Sequence, residues 1–149
     1  RVICATVIFM YTRTPSYPEE LTRIDTLCNK EPQKAEMELH RYISANGNMN
    51  DDDKWYCRLL SLKANVKQSK DINYDKEAAA IIDHYETKAD KHMLSQVYYY
   101  AGSAYYLLGN IPQAIEYLQK GLSITPETEE TEQLRALYYY MLGGILTSQ

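Results

Sequence analysis

Residues 98–126 read YYYAGSAYYLLGNIPQAIEYLQKGLSITP, and this stretch decides the fold. Gly102, Ala114 and Gly121 are small where large side chains would hold two neighbouring helices apart. Gly109 supplies a left-handed residue that closes the first helix, and the Asn110 side chain is an acceptor that opens the second. Pro112 falls in a first helical turn, where its missing N–H costs nothing, and Pro126 stops the chain after Thr125. The spacing predicts helices over 90–108 and 111–123, packed as an antiparallel hairpin.

The same positions fit a known repeat pattern. It places an aromatic at the start, a large residue and Gly three and four later, then Tyr, then Ala with an aromatic four later, and a closing Pro. The chain offers Tyr98, Ala101, Gly102, Tyr105, Ala114, Leu118 and Pro126, and from Tyr98 to Pro126 is 28 positions, as the pattern requires. The stretch resembles a tetratricopeptide repeat (TPR). That resemblance implies an all-α fold, with antiparallel helix hairpins stacked as a right-handed superhelical solenoid of about seven helices. It names a scaffold and leaves the ligand open.

Around this centre the chain reads as further hairpins. After Pro126 the acidic run ETEETE opens another helix, where negative charge complements the helix dipole. The run ALYYYMLGGIL then places Tyr139, Leu142, Gly143 and Leu146 where Tyr98, Ala101, Gly102 and Tyr105 stand. The offset between the glycines is 41, seven more than the 34 of the pattern, and the excess falls in a longer connection around 125–132. A register of 40 would superpose the YYY triplets, but 41 aligns the glycine that lets helices approach. No partner for this last helix lies before Gln149, so the repeat domain is expected to continue beyond it.

Upstream, residues 53–69 carry Trp55, Leu59, Leu62 and Val66 on one helical stripe, and 74–88 carry Ala78, Ile82 and Tyr85. They form a degenerate repeat in which Leu59 and Leu62 replace the Gly and Tyr. The polar run NGNMNDDD, residues 46–53, precedes it, and its aspartates are candidate caps. Calcium is not expected there, since no reading frame puts Gly at the sixth loop position. Leu21, Ile24, Leu27 and Cys28 predict a helix over 19–29, and Ala35, Leu39, Tyr42 and Ile43 a second, starting at Pro32 and ending at Asn46-Gly47.

Residues 1–17 form an apolar N-terminal segment and loop, and 18–149 the repeat domain. The run VICATVIFMY after Arg1 is shorter than the roughly 20 residues a membrane span needs. It reads either as the remnant of a signal or membrane anchor, or as a terminal segment packed on the first helices. A periplasmic or membrane-associated location follows from the first reading, a cytoplasmic one from the second.

Composition excludes several function classes. A formal charge of −4 with pI near 5.4 predicts no nucleic acid bound by this segment. Cys4, Cys28 and Cys57 make neither a disulfide framework nor a zinc site, and Cys28 and Cys57 read as core residues. His40, His84 and His92 form no metal-binding spacing, and no phosphate loop or nucleophile elbow is present. No catalytic residue, cofactor or metal is therefore expected. Fifteen tyrosines against one phenylalanine suit half-buried helix interfaces or a surface that meets partners.

The TPR resemblance implies where binding would occur. In that family, residues one, five and eight positions after the leading aromatic face a concave groove. Here these are Tyr99, Ser103 and Tyr106, with Tyr56, Leu60 and Lys63 before them and Tyr140, Gly144 and Thr147 after. Tyr56, Tyr99 and Tyr140 share one motif position and would form a ladder suited to an extended peptide or amphipathic helix. The family's chaperone-tail binders carry Lys and Asn at these places, and Tyr99 with Ser103 departs from that. The hairpin carrying Leu21, Ile24, Asp25, Leu27, Glu31, Pro32 and Ala35 resembles the entry unit of bacterial TPR proteins at or beyond the inner membrane. It suggests the sensory or assembly part of a regulator that joins repeats to a membrane helix and a DNA-binding domain. The alternative is a structural or oligomerising segment whose groove is filled by the protein's own flanks. A carbohydrate-uptake lipoprotein would need a loop-rich insertion that this chain lacks. Ligand identity and oligomeric state are not legible in the sequence.

Overall fold

The computed structural model describes residues 16–70 and 74–149. Its seven α-helices are α1 (Glu19–Lys30), α2 (Pro32–Ala45), α3 (Asp51–Lys67), α4 (Tyr74–Glu86), α5 (Lys91–Leu107), α6 (Ile111–Ile124) and α7 (Glu132–Thr147). A short 3-10 turn, Glu129–Thr131, precedes α7, and no strand occurs among the described residues. The apolar run of residues 1–11 and Cys4 lie outside those residues.

Local chemistry sets the helix ends. Gly109 adopts φ +75°, and the Gly109 and Asn110 N–H groups donate to the Tyr106 and Tyr105 carbonyls, both at 2.9 Å, closing α5 as the sequence predicts. Asp90 caps α5 by accepting from the Met93 N–H at 3.0 Å. At α3 the cap is Asn50, which accepts from the Asp53 N–H at 2.8 Å. Asp51, Asp52 and Asp53 instead occupy the first turn, beside the positive end of the helix dipole. This corrects the expectation that an aspartate caps α3: Asn50 alone has the extended backbone of a cap. The connection after Pro126 holds a capping box between Thr128 and Thr131.

Packing then stacks the helices into a TPR-like solenoid. Each helix touches its successor, and in addition α1 touches α3, α3 touches α5 and α5 touches α7. Among the described residues α2 and α4 do not touch, nor do α4 and α6. The odd-numbered layer is thus drawn together and the even-numbered one splayed, which makes the odd helices the concave side.

Glycines set two of these contacts. A Cβ at Gly102 would lie 2.8 Å from Leu118 Cγ and 3.3 Å from the Ala114 carbonyl, so α5 and α6 meet there at backbone range. A Cβ at Gly121 would lie 2.6 Å from Tyr138 Cε1 and closer still to Cζ and Oη, because the Tyr138 ring fills the space over that glycine. Nine of the fourteen described tyrosines are buried, so most of the unusual tyrosine content is packing between helices. Cys28 and Cys57 are buried as the sequence predicts, and burial pushes each thiol up to about 11, which leaves neither reactive.

Candidate partner-binding face

The layer of odd helices carries two separate depressions, and the sequence-predicted groove residues divide between them, Tyr140 lying in neither. A small one of about 220 Å³ is lined by Val66 and Lys67 of α3, by Tyr99, Tyr100, Ser103, Tyr106 and Leu107 of α5, and by Met141 of α7. Tyr99, Ser103 and Tyr106 recur at helical spacing, so α5 presents all three to one hollow. Ser103 donates its hydroxyl to the Tyr99 carbonyl at 2.8 Å, which leaves the oxygen free to accept. The Tyr99 ring stands edge-on to Tyr100 at 5.0 Å and to Tyr138 at 5.3 Å, so its position is fixed before any ligand arrives. Lys67 is exposed, and partial burial of its ammonium together with the nearby Lys63 holds its pKa below the ordinary lysine value.

Tyr56 lies in the other depression. This cleft of about 790 Å³ opens between α1, the N-terminal halves of α3, α5 and α7, and the connection that follows α6, and includes Tyr17, Asp25, Met93, Gln96 and Leu134 in its walls. Tyr56 packs against Tyr17 at a ring separation of 4.2 Å and donates to Asp25 Oδ2 at 2.7 Å. Asp25 Oδ1 accepts from Lys63 Nζ at 2.6 Å. Lys63 is almost wholly buried, and its ammonium also lies 5.2 Å from the Tyr100 ring centre. One carboxylate therefore ties α1 to two residues of α3 beneath the groove. Burial, with the Asp25 charge second, pushes the Tyr56 hydroxyl far above the ordinary tyrosine range, so it stays protonated and donating.

The tyrosine ladder is not continuous. Among the described residues no ring contact joins Tyr56 to Tyr99 or Tyr99 to Tyr140. Tyr138, not Tyr140, reaches Tyr99, while Tyr140 is 79% exposed and lines neither depression. The cause is positional: Tyr99 is covered by the next odd helix, and among the described residues no further odd helix follows α7. Sequence reasoning missed Asp25, Tyr17 and Lys67. Asp25 and Lys63 are 38 residues apart, so only the folded stack reveals their pairing.

The α5–α6 hairpin beneath the small depression carries a likeness to a known family. Residues 95–128 match the family model of the tetratricopeptide repeat. TPR repeats generally mediate protein–protein interaction, and the fold is typically a non-catalytic scaffold. The match covers the hairpin of α5 and α6, and the flanking hairpins extend the same stack by their packing. Comparisons with curated proteins and with solved structures give no significant match. Among the described residues no cluster of His, Cys, Asp and Glu is arranged to hold a metal ion, and no helix is long and apolar enough to cross a membrane.

Proposed function

We propose that this chain is a non-catalytic scaffold that binds a protein or peptide on its concave face. Tyr99, Ser103 and Tyr106 form the recognition surface, with Tyr56 and Tyr140 as outlying contacts. The observation that carries this reading is the depression on α5, where those three residues meet Lys67 and Met141 from the neighbouring odd helices. An apolar floor rimmed by hydroxyls and one ammonium suits an extended segment that offers an apolar side chain and an acceptor. The resemblance of the α1–α2 hairpin to bacterial membrane-linked proteins favours a sensory or assembly role within a larger regulator. A second reading, in which the protein's own flanks fill the groove, draws support from Tyr56 and Tyr99, both already buried by their neighbours.

The test is capture of partners from native extract with three baits. The first is the wild type and the second Lys67→Ala/Tyr106→Ala, both at exposed groove positions. The third is Met37→Ala/Ile43→Ala on the convex α2, also exposed. A partner held by the wild type and the α2 variant but lost by the groove variant is the expected outcome. Equal recovery by all three overturns the reading.

A further inference from the structure

The splay of the even-numbered layer leaves a third hollow, on the convex side over α3. Among the described residues α2 and α4 do not touch, and between them opens a cleft of about 480 Å³, a size that suits a small molecule. Ile43 of α2, Met49 of the following connection, Cys57 and Leu62 of α3 and Tyr74 of α4 give it apolar walls. The charged side chains that line it are already answered. Arg58 donates to both carboxylate oxygens of Glu77, at 2.7 and 3.0 Å, and Lys54 lies 3.9 Å from Asp51. An ion entering the cleft would be desolvated without a free counter-charge, so the occupant that fits is neutral.

One wall residue is chemically unfinished. Asn65 is 9% exposed, and its Oδ1 has no hydrogen-bond partner among the described residues. Its Nδ2 makes a long bond of 3.4 Å to Ser61 Oγ. The backbone carbonyl of the same residue is by contrast saturated, accepting from the Gln68 and Lys70 N–H groups at 3.2 Å and from the Tyr74 hydroxyl at 3.1 Å. A buried acceptor left unpaired is expensive to keep, and a leucine of similar size would avoid that cost, so packing alone does not call for an amide here. The terminal torsion of asparagine is broad, and a turn that brings Oδ1 to the cleft gives up the long bond alone. Elsewhere in the wall the Cys57 thiol donates to Met49 Sδ at 3.8 Å, which sets two polarisable sulfurs where an aromatic ring edge would meet them. We propose that this cleft binds a small neutral aromatic molecule carrying one N–H or O–H donor, which Asn65 Oδ1 accepts while the ring lies against the two sulfurs. The site is separate from the concave face and does not depend on it.

Indole and benzofuran test it, being alike in shape and different in the donor. Titration followed by amide chemical shifts of isotopically labelled protein should show saturable indole binding, with shifts at 57–65 and 74–77. Benzofuran should bind more weakly by roughly tenfold, the scale of one net hydrogen bond. Asn65→Leu should erase that preference and melt no lower than the wild type, since the oxygen it removes is unpaired. Ile43→Trp, at an exposed position on the rim, should weaken both probes by filling the cleft. Lys67→Ala/Tyr106→Ala on the concave side should change neither. Absence of saturable indole binding, equal affinity for the two probes, a preference that survives Asn65→Leu, or shifts confined to 99–106 overturns the proposal. So does a clear loss of stability in Asn65→Leu, because Oδ1 would then be paired within the fold.

Discussion

Replacing Gly121 by Ala adds one methyl group where the structure has no room. The Tyr138 ring lies over that glycine, is wholly buried, donates its hydroxyl to the Ser95 carbonyl and meets the Tyr99 ring at 5.3 Å. The ring cannot swing away without breaking that hydrogen bond, so α6 and α7 must separate instead. Overpacking of this kind costs about 1–3 kcal/mol, and with a ring pinned on several sides the upper end applies. The better helix propensity of Ala returns about 1 kcal/mol. A net loss of about 2 kcal/mol should lower the melting temperature by about 4–8 °C for a domain of this length. Circular dichroism melting of the wild type, Gly121→Ala and Gly143→Ala measures it. Gly143→Ala has the same propensity gain without a clash and should melt higher than the wild type. A Gly121→Ala protein as stable as the wild type would refute the reasoning.

Three further outcomes follow from other contacts. Lys63→Met removes the ammonium that pairs with Asp25 and leaves the Tyr56 hydroxyl donating to that carboxylate, and urea unfolding should show a loss of about 1–3 kcal/mol, largely recovered by adding Asp25→Asn. Asp90→Ala removes the α5 cap and should cost about 1 kcal/mol in the same assay, with Asp90→Asn close to neutral. His84 stacks on Trp55 at 4.1 Å, and burial, followed by the Lys88 charge, lowers its pKa below the usual histidine value. The folded state therefore prefers the neutral ring: this contribution to stability is complete above about pH 6.5 and declines as pH falls from there through the lowered value. Emission from Trp55, the one tryptophan, should titrate with a midpoint below 6.5, and a flat profile in His84→Gln checks the assignment.

The hairpin was legible because its signals are local. Gly109, Asn110 and Pro112 act within a turn of one another, and Gly102 with Leu118 follows from one repeat pattern. In α7 the pair of Tyr138 and Ile145 is buried while Tyr139 and Leu146 are exposed. What the sequence hides is which of three consecutive tyrosines turns inward. In α7 each residue rotates a side chain by about 100°, so the two steps from Tyr138 to Tyr140 turn it from under Tyr99 to solvent. Position within a motif gave Tyr140 the role of Tyr99, but burial at that position depends on a following helix. The Asp25, Tyr56 and Lys63 network hides for a different reason: nothing in a single helix marks a carboxylate as the partner of residues 31 and 38 positions away.

The central claim is recognition on the concave layer of odd helices. Hydrogen exchange of the chain with and without a captured partner tests it most directly, since protection reports which backbone a ligand orders. The expected result is added protection in segments 63–67, 99–107 and 138–141, with 34–45 and 76–86 unchanged. Protection confined to α2 and α4, with the α5 segment exchanging as in the free protein, would contradict it.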